Sequence, residues 1–491
     1  MKTLYTFILF FLSIGLLFAQ NITGTVTESE TQKPLAGATV TIKGKITGTS
    51  TDNNGRFELK TAQNPPFILV VSMLGFEKQE ITISDNNSIA IALKQGNEEL
   101  QQVVVSASRV EENILKSPVS IEKMDIRAVQ QTPSVSFYDA LLNVKSVDVV
   151  TSSLTYKQIN TRGFNSTGNS RFLQLIDGVD NQSPGLGFAV GNLFGTSDLD
   201  VESVELIPGA ASALYGPVAF NGMLMTRTKN PFQYQGLSVQ NKFGLNHFGD
   251  NPSGVKPFNE IALRYAKAFK NKFAFKINAS YLKGTDWYGN NYTDIDPNTP
   301  TEQRGASNPG RNALNIYGDE VARTINGIGR VSRTGYEERD LANYGVYSLK
   351  LNGAFHYKIR ENLELIYQLS FSQGTANYTG SSRFALNDFK LIQNRIELRG
   401  NNFFIRTYST AEQSNNSYNT RSLAQQINRT WVRDLNGNVV SPDKADATWF
   451  DRYTAAFNGN VNGFTKNDPN LARNFADEVR FLAGSDGFNQ Q

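Results

Sequence analysis

The sequence is short of the residues that enzymes and metal proteins use for chemistry. Its 491 residues include no cysteine, which excludes disulfides, thiolate metal sites and a cysteine nucleophile. The two histidines, His247 and His356, are too few for a multi-histidine metal site or a well-supported Ser-His-Asp triad. Neither a phosphate-binding Gly-Lys-Ser/Thr loop nor a His-Glu-x-x-His pattern occurs. We therefore predict no enzymatic activity, no cofactor and no metal site. Asp294 and Asp296 could ligate Ca²⁺, but an exposed turn is the favoured interpretation.

An excess of one charge and long apolar runs are also missing. The chain has 48 Lys+Arg and 45 Asp+Glu, so a nucleic-acid partner is not expected. Apolar residues make up 39%, below the roughly 45–50% of typical globular chains. After the N-terminus no segment is apolar for long enough to form a transmembrane helix. Instead the chain has 11% aromatic residues and 40 glycines, which favours antiparallel β structure with one polar face.

The first residues predict an export signal. Lys2 is followed by a mainly apolar run from Leu4 to Ala19, which is shorter than the roughly 20 residues of a spanning helix. We predict a secretory signal peptide over residues 1–19, with an N-terminal anchor helix as the alternative. Export without a helical span leaves a soluble exported protein or a membrane β-barrel.

Residues 20–96 predict a small β-sandwich. Short β-prone runs recur about every ten residues and are separated by Gly, Pro and Asn turns. The segments Gly24–Val26, Pro34–Ala38, Asp52–Phe57 and Gly75-Phe76 resemble the carboxypeptidase-regulatory-like domain. Because residues 20–96 contain no histidine, we predict a spacer or binding module and no peptidase.

Residues 97–108 form a polar linker around a short β-prone run. Such a run can add as an extended strand to the sheet of a partner. The seven residues of the run are Leu100, Gln101, Gln102, Val103, Val104, Val105 and Ser106. This run resembles the TonB box of TonB-dependent outer-membrane receptors.

Residues 109–232 predict a compact α+β unit of short strands and short helices. Its sequence motifs, in this order and spacing, resemble the plug domain of TonB-dependent receptors. The family usually has Arg-Gly where this chain has Pro208-Gly209, so local contacts of the plug can differ. The matching motif residues are Arg162, Gly163, Asp177, Gly178, Tyr215 and Gly216.

Two parts of this unit are candidates for function. Arg162 is either a solvated charge on a turn or an arginine at the plug–barrel interface, held by carboxylates of the barrel wall. The Gly-rich segment 180–192 is long for a loop, and long loops are often functional. In the resembled family this position faces the incoming solute. The residues expected to contact solute are Asn181, Gln182, Phe188 and Asn192.

Residues 233–491 alternate between apolar and polar side chains in runs of about ten residues. This length and pattern are typical of tilted membrane strands, although a soluble sandwich also alternates. Residues 413–491 are rich in Asn, Asp and Thr and predict an outer loop. The seven predicted strands are 236–248, 259–269, 272–283, 345–357, 361–373, 384–398 and 402–412.

The predicted protein is therefore mainly β, with a small N-terminal β-sandwich, an α+β plug domain and a partial antiparallel transmembrane β-barrel over residues 233–491. Seven strands are an odd number, which cannot close a standard bacterial barrel. An open sheet edge in lipid would leave backbone N–H and C=O groups without hydrogen-bond partners, which is costly. Because the resembled family has 22-stranded barrels, we expect the sequence to be part of a longer chain.

The resemblance implies a receptor in the cell outer membrane, with its sandwich and plug on the periplasmic side and outer-membrane lipid around its barrel. It would take up a bulky, scarce solute such as an iron–siderophore complex, cobalamin or an oligosaccharide, powered by the TonB complex of the inner membrane. One alternative is a glycan-import receptor paired with a surface lipoprotein. Another is a non-transporting exported adhesin or scaffold, which would be soluble in water.

Overall fold

The computed structural model describes residues 20–45, 47–61, 63–73, 76–84, 88–95, 103–104, 112–113, 117, 119–249, 252–380 and 383–490. The chain is mainly β, with 46% strand and 16% helix, which confirms the predicted fold class. The signal peptide predicted over residues 1–19 lies outside the described residues. Among the residues described, we find no helix whose length and apolar character would let it cross a bilayer.

The N-terminal part is a sandwich of two small sheets. One sheet has three strands and the other has four. Arg56–Thr61 alternates between exposed and buried residues, because successive side chains of a strand point to opposite faces. Its Phe57 and Leu59 therefore enter the apolar core between the sheets. The seven strands are Gln20–Glu28, Thr39–Ile42, Gly48–Ser50, Arg56–Thr61, Phe67–Ser72, Gln79–Ile83 and Ile89–Leu93.

The turn at Gly44 brings the sandwich into contact with Tyr234. A Cβ on Gly44 would overlap the ring of Tyr234, so the glycine allows the two surfaces to meet. Tyr234 lies just before the strand Gly236–Asn246. The sandwich therefore lies beside the start of the large sheet described below.

The segment that resembles a plug folds as a mixed α+β unit. In its five-stranded sheet, Phe172–Ile176 runs parallel to Gly222–Thr228 and the other pairs are antiparallel. Two apolar clusters contain buried side chains of this sheet. In order across the sheet, the strands are Glu122–Asp125, Val201–Ile207, Gly222–Thr228, Phe172–Ile176 and Val179–Asp180.

Shorter elements complete this unit, which we call the plug. The hairpin of Val147–Ser153 and Tyr156–Thr161 points its tip, residues 154–155, at the large sheet. Asp125 caps one helix by accepting a hydrogen bond from the Ala128 N–H at 2.9 Å. The helical segments are Ile126–Gln131, Phe137–Asn143, Asp198–Asp200, Ser212–Tyr215 and Pro217–Phe220. The remaining strand pairs are Val103–Val104 with Glu112–Asn113 and Gln182–Ser183 with Phe188–Ala189.

Seven long antiparallel strands, which we call the wall, lie side by side in chain order and form the largest sheet together with the short strand Tyr418–Asn419. They are 10 to 18 residues long, and the seven predicted strands are all present. Several of them extend beyond the predicted limits. The wall strands, first to seventh, are Gly236–Asn246, Lys256–Phe269, Phe273–Thr285, Gly345–Arg360, Leu363–Thr379, Arg383–Gly400 and Phe404–Gln413.

The two faces of the wall differ in chemistry. The inner face carries buried polar residues such as Asn278 and Asn352 and packs on the plug. The outward face carries exposed apolar residues such as Phe243, Ile277 and Phe355. Rings stack beside the short turn 270–272, where Phe273 lies between Phe269 and Phe355. This distribution follows the alternation seen in the sequence.

At the end opposite the short turns, residues 286–344 and 414–490 fold together, and we call them the outer unit. We predicted residues 413–491 as a loop, and this prediction missed four helices. Ala445, Trp449, Tyr453 and Ala456 recur at helical spacing and are all buried in one core. The helices are Thr420–Thr430, Pro442–Phe457, Pro469–Ala476 and Asp486–Asn489. The short elements of the unit are the strands Ile316–Tyr317, Ala322–Ile325, Gly329–Ser332, Tyr336–Glu337 and Tyr418–Asn419, with single turns at Thr301–Gln303 and Glu338–Asp340.

Candidate functional site: the interface between plug and wall

Asp200 of the plug is the centre of a buried ionic network with the wall. Its carboxylate accepts hydrogen bonds from Arg264 Nε at 2.6 Å and from Lys276 Nζ at 2.7 Å. The three side chains are at most 4% exposed. Arg264 and Lys276 lie on the neighbouring second and third wall strands, where Ala266 pairs with Lys276. A buried charge without its partners is strongly destabilising, so this network ties the plug to one position on the wall.

Further donors of the network are satisfied by backbone oxygens. Lys276 Nζ also donates to the Lys229 carbonyl at 3.0 Å, and Arg264 Nη1 donates to the Tyr234 carbonyl at 2.8 Å. Lys229 donates to the Leu199 carbonyl at 2.6 Å. Burial, together with the neighbouring Arg264 cation, lowers the pKa of Lys229 to about 8, although Asp200 acts in the opposite direction. The network therefore holds several cations close together around one carboxylate.

Asp198 makes a second ionic contact two residues earlier. Its carboxylate accepts from Lys242 Nζ of the first wall strand at 2.7 Å and from the Phe137 N–H at 3.1 Å. Asp198 thus joins a wall strand to a helical turn of the plug. Asp198 and Asp200 are not among the site residues predicted from the sequence. Two features of the sequence could have indicated them. Asp198 and Asp200 come just before a strand of the plug, and the wall strands carry basic residues at inward positions.

The Asp177-Gly178 turn, which belongs to the predicted motif, also lies against the wall. Asp177 accepts hydrogen bonds from the Thr228 N–H at 2.9 Å and the Thr228 hydroxyl at 2.6 Å. Burial alone would raise the pKa of Asp177, but Arg395, Lys276 and the Thr228 bonds hold it well below its usual value. The Asp177 carbonyl accepts from Arg395 Nη1 at 2.6 Å.

Glycine is favoured at position 178 for two reasons. Its φ of +78° lies in the left-handed region, and a Cβ there would overlap the guanidinium of Arg406. Arg406 Nη1 donates to the Gly178 carbonyl at 3.3 Å. The turn therefore fits between arginines of the sixth and seventh wall strands.

These arginines surround a single buried carboxylate, Glu397. It lies 3.4 Å from Arg395 Nη1 and 2.6 Å from nitrogens of both Arg399 and Arg406. Arg395, Glu397 and Arg399 are two residues apart on one strand, so they share its inner face. This spacing was the available signal for a cluster that sequence analysis missed.

The rest of the predicted plug motif lies on a different face of the plug. Arg162 has a φ of +59° and is exposed. It has no ion pair with a carboxylate among the residues that the structure describes, and its expected place at a plug–barrel interface stays a prediction. Gly163 follows it in the turn. Tyr215 and Gly216 end a short helix, and the nearby Phe164 and Phe220 rings are more than half exposed.

The expected solute loop, residues 180–192, contains a small hairpin of Gln182–Ser183 and Phe188–Ala189. Asn181 and Asn192 are buried in this structure, and their expected contact with solute stays a prediction. Asn192 Oδ1 instead accepts the Lys157 N–H at 2.9 Å. Amides with such partners hold the loop in shape.

The tip of this loop is more accessible. Phe188 is half-buried and stacks on Tyr378 of the fifth wall strand, with ring centroids 5.8 Å apart. Gln182 is also half-buried, and Pro184, Gly185 and Gly187 are exposed. Glu412 of the seventh strand accepts from the Ser183 hydroxyl at 2.5 Å. Residues 184–188 are therefore the accessible part of the loop.

Asp286 fastens the tip of the other plug hairpin. It directly follows the third wall strand and accepts the Leu154 N–H at 2.7 Å. It also accepts hydrogen bonds from the Asn377 backbone and side chain at 3.3 Å each. Burial raises the pKa of Asp286 to about 6. Asp286 thus joins plug and wall at the end near the outer unit.

Val103 and Val104 are the described part of the predicted TonB box. They pair with Asn113 and Glu112, and Val104 is fully buried in an apolar cluster of the plug. The other five residues of the box lie outside the described residues. A strand offered to a partner would have to leave this cluster first.

Asp294 and Asp296 in the outer unit are buried, so the exposed turn expected from sequence is wrong. Their oxygens accept N–H and hydroxyl donors of their own loop, such as the Asn312 N–H at 3.1 Å and the Thr299 hydroxyl at 2.6 Å. Ca²⁺ binds through several oxygen ligands that point at the ion. The carboxylate oxygens of Asp294 and Asp296 instead accept hydrogen bonds from their own loop, so they are not arranged around a cation. Within the described part of the chain, no group of three or more acidic or histidine side chains could hold a metal ion.

Comparison with known families accounts for the first half of the chain. A family model described as a CarboxypepD_reg-like domain matches residues 22–105. A second, described as the TonB-dependent Receptor Plug Domain, matches residues 113–223. The chain therefore carries a TonB-dependent receptor plug domain, preceded by a CarboxypepD_reg-like domain. The resemblance identified from the sequence motifs is confirmed, and the contacts of Asp177, Asp198 and Asp200 are those of a receptor plug with a wall.

Two curated relatives each match slightly less than half of the chain. "TonB-dependent receptor SusC" of Bacteroides thetaiotaomicron is 32% identical over 237 residues, which are 47% of this chain and 23% of that protein. "TonB-dependent receptor P26" of Formosa agariphila is 32% identical over 220 residues, 43% of this chain and 21% of that protein. The receptor chain thus spans about a quarter of the length of the curated relatives it matches.

Among solved structures, the siderophore receptor PirA from Pseudomonas aeruginosa is 16% identical with a TM-score of 0.37. The match covers 60% of this chain and 41% of that chain.

Proposed function

We propose that the complete receptor lies in the outer membrane and imports a bulky, scarce solute past its plug. The observation that carries this proposal is the buried contact of Asp200 with Arg264 and Lys276. A small α+β domain is bound by ion pairs to the inner face of a sheet whose other face is apolar. This arrangement suits a plug domain that can move inside a membrane barrel.

The outward face of the wall supports a position in lipid. Phe243 is 71% exposed and Ile277 is 58% exposed, and such side chains form rows on every second position of their strands. In water a continuous surface of this kind would promote association. Aromatic rings near both ends of the strands suit the interfaces of a bilayer. The short turns, and with them the sandwich, would then face the periplasm.

An inner-membrane partner would supply the work of transport. We expect the TonB complex to pair with the segment Leu100–Ser106 by strand addition. Because Val104 is packed into the plug, a pull on this segment acts directly on the plug core. Small polar subdomains open at lower free energy than a cooperative sheet, so the plug would yield before the wall.

For the solute, we propose an iron–siderophore complex or a comparably bulky molecule such as cobalamin or an oligosaccharide. A glycan-import receptor paired with a surface lipoprotein is the second candidate. The N-terminal CarboxypepD_reg-like domain favours this second candidate, because similar domains precede such receptors. Co-purification of the complete receptor with a solute-binding lipoprotein would support it.

The proposed drive is tested by deleting Leu100–Ser106 from the complete receptor. Uptake by cells should be lost while solute binding at the cell surface stays unchanged. A control replaces the same seven residues with a Gly/Ser sequence of equal length, which keeps the linker length and should also abolish uptake. Normal uptake by either variant would contradict the assignment of this segment.

The membrane position is tested by fractionation of cells. The receptor should stay with the outer membrane through salt and carbonate washes and require detergent for release. Recovery in water without detergent would contradict the barrel and favour an exported adhesin or scaffold.

A further inference from the structure

The inner face of the wall carries more positive than negative side chains among the residues described. Neighbouring strands place opposed residues on one face, and their register directs six cations towards the plug: Lys242, Arg264, Lys276, Lys350, Arg395 and Arg406. The carboxylates on the same face are fewer, and most of them are already shared. Glu397 is divided among three guanidinium groups, and Glu364 pairs with His356 at 2.7 Å.

The plug supplies the missing negative charge. Asp200 compensates Arg264 and Lys276, and Asp198 compensates Lys242. The Asp177 turn meets Arg395 and Arg406 through its carbonyl groups. Lys350 lines a small cavity together with Asp198. Within the wall, Glu260 lies 3.9 Å from Lys242, so the plug balances part of the positive charge, chiefly that of Arg264 and Lys276.

Displacement of the plug changes this balance. The cations belong to strands of the wall, which are held by their main-chain ladders, so they remain after the plug has moved. A cleft lined by one sign of charge focuses the field and raises the local concentration of counter-ions, with effects on association rates of about tenfold or more. An open path along this wall would therefore attract negative solutes.

We propose that the solute which passes along these seven strands is a multivalent anion, whose negative groups replace Asp177, Asp198 and Asp200 as partners of the wall. This inference rests on the proposed function, since it needs a plug that moves. It adds the chemical class of the solute, which neither the domain matches nor the relatives specify. The alternative is that the cations serve only to seat the plug.

The test measures block of ionic current through the complete receptor in a planar bilayer, with the plug opened by urea. A second preparation lacks residues 113–223 and gives the same measurement without urea. The probes are sucrose octasulfate as a multivalent anion, spermine as a multivalent cation and a neutral maltooligosaccharide. Sucrose octasulfate should block at concentrations at least about tenfold lower than either of the other two.

Substitutions localise the effect. Lys276→Gln combined with Arg395→Gln should weaken block by sucrose octasulfate several-fold. Lys267→Gln combined with Lys283→Gln is the matched control, because both lysines lie on the outward face of the second and third strands, and its block should be unchanged. Equal block by the three probes, or equal effects of the two double variants, would overturn the proposal. Absence of any current in both preparations would instead contradict the proposed function.

Discussion

The plug presents two faces of opposite character. Its face on the wall buries charged groups, with Asp200 about 1% exposed between two cations. The face that carries Arg162 exposes a guanidinium group and apolar rings, with Phe164 57% exposed. The motif residues that identify the plug divide between the two faces, since Asp177-Gly178 contacts the wall and Arg162-Gly163 does not. Motif spacing therefore identifies the domain without indicating which of its residues form this interface.

The largest expected effect comes from Asp200→Ala. It leaves Arg264 and Lys276 buried without their partner, which should cost about 3–5 kcal/mol of plug stability. The measurement is hydrogen exchange of Val201–Ile207 in increasing urea. Arg162→Ala on the other face should change stability by less than about 0.5 kcal/mol. A comparable loss in Arg162→Ala would show that carboxylates beyond the described wall hold this residue.

A glycine pair sharpens the comparison. Gly178 and Gly163 both have positive φ, +78° and +76°, so alanine should strain either backbone by about 1–2 kcal/mol. Only at Gly178 would the new Cβ also meet Arg406, whereas nothing lies within 4 Å at Gly163. Gly178→Ala should therefore cost about 1 kcal/mol more than Gly163→Ala. Equal thermal shifts of the two variants would show that Arg406 does not press on this turn.

The contact of Asp286 with the plug tip should depend on pH. Its pKa is raised from 3.8 to about 6, so the folded protein holds the proton more tightly than the unfolded chain does. Stability should then fall as pH rises from about 4 to about 6, and lowering pH from 7 to 5 should gain about 1–2 kcal/mol. Exchange of the Leu154 amide, corrected for its intrinsic rate, measures this gain. Asp286→Asn should remove the dependence, and an unchanged pH profile in that variant would assign it to another group.

The smallest effect is expected at the solute loop. Ser183→Ala removes the hydrogen bond to Glu412 and should cost about 0.5–1.5 kcal/mol. Asn165→Ala, at an exposed position on the other face, should have no measurable effect. Thermal unfolding of both variants compares them. A larger loss at Asn165 than at Ser183 would reverse the assignment of the two faces.

Parts of the fold were predictable because they depend on local periodicity. Phe273, Phe275 and Ile277 alternate with Ala274 and Lys276, and this pattern alone predicted the third wall strand. The outer unit was not predictable in the same way. Its helices are mainly polar in sequence and depend on a core that Trp449 forms with Val331 and Ala472, residues far apart in the chain.

In the candidate site, too, some features could be predicted from local sequence and others depend on contacts between distant residues. Loop length and glycine content drew attention to residues 180–192, but the burial of Asn181 and Asn192 depends on contacts with Gly191 and Lys157. Asp198 and Asp200 carry no motif that distinguishes them from other acidic residues. Their role follows from the wall cations opposite them.

The sequence by itself determined the mainly β class, the order of sandwich, plug and wall, and the face of each wall strand that is apolar. Those features depend on side-chain alternation and turn residues, which act between near neighbours in the chain. Only the tertiary structure decided which charges meet between plug and wall and which motif residues remain exposed. Such pairings join Asp200 to Lys276 and Gly178 to Arg406, and they follow from how two separately folded surfaces fit, because desolvated charges require partners in three dimensions.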